Sequence, residues 1–206
     1  MLKLVGFDCD GVLFDSRDAN IAYYNAILAA FGRPPMDPAD VDYVHSHTAR
    51  QSVEYLFREA DNLEEVLDYC RGLDYQPFIP LMLEAPHLRN FLIFLRPRYY
   101  TAVATNRTTT THPVLQYHGL EHHFDLVVSA LDVSRPKPHP ESFWRILEHF
   151  QLRPEEAIYI GDSQVDEEFA HNAGVALVAY RNPSLKAAYH LESFAEGPQL
   201  VQSLIF

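Results

Sequence analysis

The feature that most constrains this chain is a rhythm of short apolar runs that stop abruptly at polar or glycine residues. Residues 2–7 are apolar apart from Lys3 and end in Asp8-Cys9-Asp10-Gly11. Similar runs occupy 99–104, 125–129 and 157–160, and another at 175–179 follows Gly174. Runs of this length bounded by turn residues read as buried strands. Helical patterning fills about 111–118, 140–150 and 165–172 between the later ones. Strands alternating with helices predict an α/β fold, a parallel sheet with helices on both faces. Right-handed crossovers would then bring the strand C-termini to one edge.

Residues 16–88 break the rhythm and read as helices only. Ser16 or Asp18 can start the first, and Gly32 with Pro34 and Pro35 can stop it. Thr48 followed by Gln51 has the form of a capping box, opening a helix that runs to about Ala60. A third spans about 62–71 and is closed by Gly72. An all-helical insertion after the first strand predicts a small separate cap, 16–88, beside a core made of 1–15 and 89–206. The 206 residues, 48% of them apolar, suffice for one core plus a small accessory domain.

Four polar clusters fall just after predicted strands: Asp8-Cys9-Asp10, Thr105-Asn106, Lys137 between two prolines, and Gly161-Asp162-Ser163 through Asp166. Open parallel sheets bind ligands outside the carboxyl ends of their strands, so these distant clusters should converge. Their chemistry suits phosphoryl transfer. Asp8 can be a covalent nucleophile. Asp10, two residues on, can protonate a leaving oxygen and later activate water. Asp8, the Asp10 main-chain carbonyl and Asp162 offer the oxygen ligands that Mg2+ prefers, with Asp166 as a further acidic member of the metal site. Thr105 offers a hydroxyl to a phosphoryl oxygen, Lys137 a positive charge, and Gly11 the tight turn after Asp10. Taken singly, each has a plainer reading: Asp-X-Asp and Gly-Asp-Ser are common turns, Thr105 could cap a helix, and Lys137 could be a solvated loop residue.

With these residues in view, the chain resembles the haloacid dehalogenase superfamily. The stretch from Asp8 to Ser16 is similar to its first motif and Thr105 to its second. Arg135 through Glu141 is similar to its third, and Gly161 through Asp166 to its fourth. The resemblance implies a Rossmann-like core, a helical cap after the first strand, Mg2+ and an aspartyl-phosphate intermediate. Within the superfamily, phosphoglycolate-phosphatase-like and phosphoglucomutase-like members look nearest. Asp10 favours phosphoryl transfer over carbon–halogen cleavage. Lys3, Lys137 and Lys186 are the three lysines, so 16–88 holds none. Phosphonoacetaldehyde hydrolases need a cap lysine for Schiff-base chemistry, and the similar sugar phosphomutases carry a cap lysine, with His where this chain has Asn20. The expectation is therefore a phosphatase acting on a small phosphorylated metabolite; the alternatives are a sugar phosphomutase of the β-phosphoglucomutase type or a non-catalytic binding module.

Specificity should reside in the cap, with Asn20, His45, His47, Thr48 and Arg50 as candidate contacts, joined in the core by Gly11 and Asn106. Arg50 could pair with a second anionic group, or merely decorate a capped helix. The His45/His47 and His122/His123 pairs lack the further ligands a metal site needs. Tyr23, Tyr24, Phe57 and Tyr69 sit at helical spacings and read as cap core. The net charge of −12, with no basic stripe, argues against nucleic acid. The apolar runs are far too short to span a bilayer, and the N-terminus lacks the long apolar stretch of a leader. Cys9 and Cys70, the two cysteines, suit a reducing compartment. A cytoplasmic monomer or small homo-oligomer is expected.

Overall fold

The computed structural model describes residues 1–46, 48–96 and 98–204, the side chains of His45 and Ser46 excepted. The chain opens with β1 (Leu4–Phe7) and the short β2 (Phe14–Asp15). Residues 16–83 carry α1 (Arg17–Ala30), α2 (Pro38–Ser46), α3 (Ala49–Leu56), α4 (Leu63–Gly72) and a 3-10 helix, Gln76–Leu81. There follow β3 (Leu83–Glu84), α5 (Leu88–Leu95), β4 (Tyr100–Ala104), α6 (Thr111–Tyr117), β5 (Leu126–Val128) and α7 (Glu141–Phe150). The chain then runs through β6 (Ala157–Gly161), α8 (Gln164–Ala173), β7 (Ala176–Tyr180), β8 (Tyr189–Leu191) and α9 (Gly197–Ser203).

Two compact units result: 1–15 with 84–206, and 16–83. The first is built on a sheet ordered β5-β4-β1-β6-β7-β8, every pairing parallel. This is the α/β, Rossmann-like class. β1 lies between β4 and β6, and the chain travels outward from it in both directions. Its C-terminus is therefore the topological switch point, where a crevice opens.

Alternation along β1 explains the two faces. Leu4 joins the cluster formed with Phe143, Ile146 and Leu147 of α7, and Phe169, Ala170 and Ala173 of α8. Phe143, Tyr159 and Phe169 pack edge to face, their centroids 5.0–6.0 Å apart. Gly6 points to the same side, where a Cβ would meet the Phe143 ring at 2.6 Å, so α7 can approach only over a glycine. On the opposite face Phe7 meets Phe91, Phe124 and Phe194 at 5.9–6.3 Å. Each such ring contributes about 1.5–3 kcal/mol by leaving water.

The second unit has its own core, formed by Tyr24, Ile27 and Leu28 of α1 with Val44, Val53, Leu56, Phe57, Val66 and Leu67. Tyr23 packs partly against it, and Tyr69 sets its ring on Phe31 at 5.5 Å. Thr48 accepts from the Gln51 N–H and the Gln51 side chain accepts in return, completing the expected capping box of α3.

Several details differ from the sequence reading. The second unit closes at Leu83 rather than 88, because the Ala85 N–H donates to the Leu13 carbonyl at 2.9 Å and Leu88, Phe91 and Leu92 are buried in the first unit. Helix α5 lies in a stretch to which the sequence reading gave no element. α3 stops at Leu56, four residues short of expectation, with Phe57 as its C-cap. The segment is not helical throughout, since β3 begins at Leu83. Among the described residues, no helix is long and apolar enough to cross a membrane.

Candidate active site

Asp8 follows directly on β1, and its N–H donates to the Ile160 carbonyl at 2.9 Å, so the neighbouring strand β6 fixes it. The turn after Asp10 needs Gly11: its φ is +80°, and a Cβ there would collide with the Asp162 carboxylate. Thr105 and Asn106 follow β4. Thr105 is buried; its N–H donates to the Val128 carbonyl, and its hydroxyl oxygen accepts from the Arg107 N–H at 3.1 Å. Lys137 lies in the loop between β5 and α7, joined to Pro138 by a cis peptide bond. Asp162 leaves β6, and Asp166 sits in the first turn of α8.

The carboxyl ends of β1, β4 and β6 and the Lys137 loop thus converge. Oxygens of Asp8, Asp162 and Asp166 lie within 4.8 Å of one another. The Lys137 ammonium, its side chain 4% exposed, uses its three hydrogens on Asp8 Oδ1 at 2.7 Å, Asp166 Oδ1 at 2.7 Å and the Tyr159 hydroxyl at 2.9 Å. Tyr159 is itself fully buried, with the Ala104 carbonyl and Asp166 Oδ1 both 3.0 Å from its hydroxyl oxygen as acceptors for its one hydrogen. Asn106 closes the same network from the main chain: its side-chain oxygen accepts from the Lys137 N–H at 2.9 Å, and its NH2 donates to the Lys137 carbonyl at 3.0 Å. Expected as a substrate contact, Asn106 has both ends of its amide on the Lys137 backbone.

Asp166 is likewise engaged. Its Oδ1 takes Lys137 and Tyr159, and its Oδ2 takes the Ser163 hydroxyl at 2.6 Å and the Asp162 and Ser163 N–H groups at 3.2 Å. Gly-Asp-Ser, plainly a turn in the sequence, leads directly into α8. Ser163 is the N-cap of α8, and Asp166 is the third residue of its capping box. A Cβ at Gly161 would strike the Asp166 side chain, so the glycine lets that carboxylate lie against β6. Asp162 is held from its main chain, where its carbonyl accepts from Asn182 Nδ2 at 2.7 Å.

The electrostatics follow from burial and crowding. Burial pushes the Asp8 carboxyl above its ordinary range, and the nearby Asp166 and Asp10 add to this against the pull of Lys137. Burial, with the charges of Asp8 and Asp166, pushes Asp162 up to about 8. Burial also works against ionisation of Asp166, but Lys137 and the hydrogen bonds it receives carry it below its ordinary value. Burial alone would lower Lys137, yet Asp166 and Asp8 hold it above the usual lysine range. Three carboxyl groups thus crowd around one ammonium, and Asp8 and Asp162 hold their charges only against burial and the neighbouring carboxylates. Both are hard oxygen donors, so a small divalent cation such as Mg2+, which would favour their charged forms, fits the residues present.

Two residues that sequence reasoning passed over belong here. Arg107 grips the Asp10 carboxylate with Nε at 2.8 Å and Nη2 at 3.0 Å. Its only sequence signal was its place directly after Asn106. Tyr159 looked like an ordinary strand residue. Asn20, Thr48 and Arg50 belong to the unit 16–83: Asn20 on α1, Thr48 as N-cap of α3, and Arg50 exposed with Nε on Glu54 at 2.8 Å. His47 and the His45 side chain lie outside the described residues. The His122 and His123 rings meet at a tilt of 37°, their centroids 4.2 Å apart. His139 meets Trp144 edge to face at 5.7 Å and accepts from the Glu141 N–H at the start of α7.

The family described as "Haloacid dehalogenase-like hydrolase" matches residues 5–180. A phosphoglycolate phosphatase of Haemophilus influenzae (strain 86-028NP) is 27% identical over 194 residues, covering 85% of this chain and 84% of that protein. Pyrophosphatase PpaX of Bacillus mycoides (strain KBAB4) is 26% identical over 195 residues, covering 94% and 89%. Among solved structures, a HAD-superfamily hydrolase of subfamily IA, variant 1, from Geobacter sulfurreducens PCA superposes with a TM-score of 0.85 at 38% identity, covering 97% of this chain and 96% of that one.

Proposed function

The chain belongs to the haloacid dehalogenase-like hydrolases, and from that premise we propose that it is a Mg2+-dependent phosphatase of a small phosphorylated metabolite, with Asp8 as its nucleophile. The observation that carries this reading is the 2.7 Å pairing of Asp8 with a buried lysine, beside Asp162, at the switch point of a parallel sheet. The relatives named for phosphoglycolate and pyrophosphate support a small, strongly anionic substrate.

Asp8 attacks phosphorus, and the ester P–O bond breaks as the Asp8 O–P bond forms. Asp10 gives its proton to the leaving oxygen. It then takes a proton from the water that attacks phosphorus and releases Asp8 with free phosphate. Lys137 holds Asp8 in position and offsets charge that gathers on the phosphoryl oxygens. The Thr105 hydroxyl accepts from Arg107 and can turn its own hydrogen to a phosphoryl oxygen. Asp8, Asp162 and the Asp10 main-chain carbonyl would hold Mg2+, which when bound supplies charge to neutralise the phosphate. Asp166 is assigned the orientation of Lys137 and of the Asp162 turn rather than direct metal contact, because five donors already meet its two oxygens. Asn106 is assigned the shape of the Lys137 loop, and Gly11 the close approach of Asp162.

Substrate selection is assigned to the unit 16–83 as a cap, with Asn20, Thr48 and Arg50 as its candidates. Hydrolysis is preferred over phosphoryl isomerisation because that unit has no lysine. The test is turnover of p-nitrophenyl phosphate, with a screen of small phosphate monoesters. Activity that disappears in EDTA and returns with Mg2+ supports the proposal. Activity that survives thorough chelation, or glucose 6-phosphate formed from β-glucose 1-phosphate with little free phosphate, overturns it.

A further inference from the structure

Arg107 has a geometry that its position in the sequence does not explain. Its backbone is pinned on both sides: the N–H donates to the Thr105 hydroxyl at 3.1 Å, and the carbonyl accepts from Ala130 at 3.0 Å. The side chain is only 9% exposed. Nε and Nη2 meet the two oxygens of Asp10, 97 residues earlier, at 2.8 and 3.0 Å, and Nη1 donates to the Thr110 hydroxyl at 2.8 Å. A two-pronged guanidinium–carboxylate pair fixes the plane of the carboxylate as well as its place, which a lysine cannot do. Asp10 keeps 36% of its side chain exposed, so it can still be reached from outside.

We propose that Arg107 is the positioning residue that aims the Asp10 carboxyl group, which carries the proton for this step, at the leaving oxygen. This rests on the phosphatase reading above. Arg107 acts through Asp10, with Thr105 holding its main chain and Thr110 its Nη1. Asp10 follows β1 on a tight turn and is only two residues from the nucleophile, so a small rotation of its side chain would take the proton donor off line. Misplacement of about 1 Å at a reacting group can cost on the order of a hundredfold in rate.

The signature lies in the leaving group. p-Nitrophenolate departs readily without a proton, whereas phenolate needs one far more. The ratio kcat/KM reports events up to the first irreversible step, here the transfer to Asp8, so it isolates proton donation from the later attack of water. Arg107→Gln is expected to lower kcat/KM for phenyl phosphate at least about tenfold more than for p-nitrophenyl phosphate, within the 10²–10⁴ range of a general acid. Arg107→Lys keeps the charge and loses the fork, and should show the same imbalance in weaker form. In an Asp10→Asn background, Arg107→Gln should add little, because its effect passes through that side chain. Should Arg107→Gln fail to fold, Arg107→Lys carries the comparison, and a crystal structure of it should show the Asp10 carboxylate turned from its place. Equal losses on the two esters, or a full additional loss in the Asp10→Asn background, would overturn the proposal. A wild-type protein that hydrolyses neither ester would instead overturn the phosphatase reading, and this inference with it.

Discussion

The two units hold their polar side chains in opposite ways. In the first, partners come from far along the chain: Lys137 reaches Tyr159 and Asp166 in the interior, and the buried Arg107 reaches the half-exposed Asp10. In the second, many pairs span a single turn on the surface, such as Thr48 with Gln51, Arg50 with Glu54 and Asn62 with Glu65. Its longer-range bonds include Arg17 with Asp42, which is exposed, and Arg33 with the Leu56 carbonyl, which is half-buried. Buried pairs are costly to break because each partner is left desolvated and uncompensated, while exposed pairs contribute about 0–1 kcal/mol. One unit is therefore built to hold a fixed geometry, and the other can change its surface at small cost. That division suits constant chemistry served by a variable choice of substrate.

The largest effect that would break the comparison is at Asp8. Asp8→Asn keeps the shape and removes the proposed nucleophile, so activity should fall by about 10⁴-fold or more, as for a lost covalent catalyst. Folding should survive. Burial and the neighbouring carboxylates already disfavour the Asp8 charge, and Lys137 retains Asp166. The melting temperature without metal should equal or exceed that of wild type. A substantially active variant would remove Asp8 from the mechanism; a strongly destabilised one would mean its pairing with Lys137 outweighs its desolvation.

Next in size is Tyr159→Phe, which deletes one hydroxyl from the interior and leaves the ring packing on Phe143 and Phe169. Lys137, Asp166 and the Ala104 carbonyl each lose a neighbour, and an unsatisfied buried group costs about 1–3 kcal/mol. Chemical denaturation should show a loss of that order, together with a lower kcat because Lys137 is less well held. Unchanged stability would show that water replaces the hydroxyl and that the network is less enclosed than its burial suggests.

These residues differ in how readable they were. Asp8 and Asp162 stand where an apolar run ends and Lys137 between two prolines, so local pattern was enough to single them out. Arg107 was not legible, because its meaning depends on Asp10, 97 positions away. Asn106 was noticed, but its partner is the backbone of Lys137, 31 residues on, which no local pattern encodes. Helix α2 was missed because its start is set by Asp37 and Asp40 bonding reciprocally to each other's N–H groups, without a marked apolar stripe. The edge strand β8, Tyr189–Leu191, has three residues and only Leu191 buried, too little for a strand signal. Local physics wrote the sheet's core and its polar stops; tertiary pairing wrote the rest.

Thr48→Ala sharpens the other side of the comparison. It removes the side-chain half of the α3 capping box, worth about 0.5–2 kcal/mol. The loss should appear in amide exchange of α3, while kcat on p-nitrophenyl phosphate stays at the wild-type value. A large fall in kcat would show that this unit carries part of the chemistry and would end the proposed division of labour.

The smallest effect belongs to the Arg50–Glu54 pair, and its smallness is what makes it informative. The two side chains are 72% and 40% exposed and stand four residues apart on α3, so water and salt screen their 2.8 Å contact. Helical pairs of this spacing contribute about 0.2–0.5 kcal/mol, and here the cation comes first, the less favourable order with respect to the helix dipole. Glu54→Gln should therefore shift stability by no more than that, and the shift should shrink further as salt is raised. If Arg50 also binds an anionic part of the substrate, Glu54 competes for the guanidinium. Glu54→Gln would then lower KM for the preferred monoester, whereas Arg50→Ala would raise it, both leaving kcat little changed. An Arg50 that only decorates its helix predicts no movement of KM in either variant, and steady-state kinetics on the pair separates the two roles.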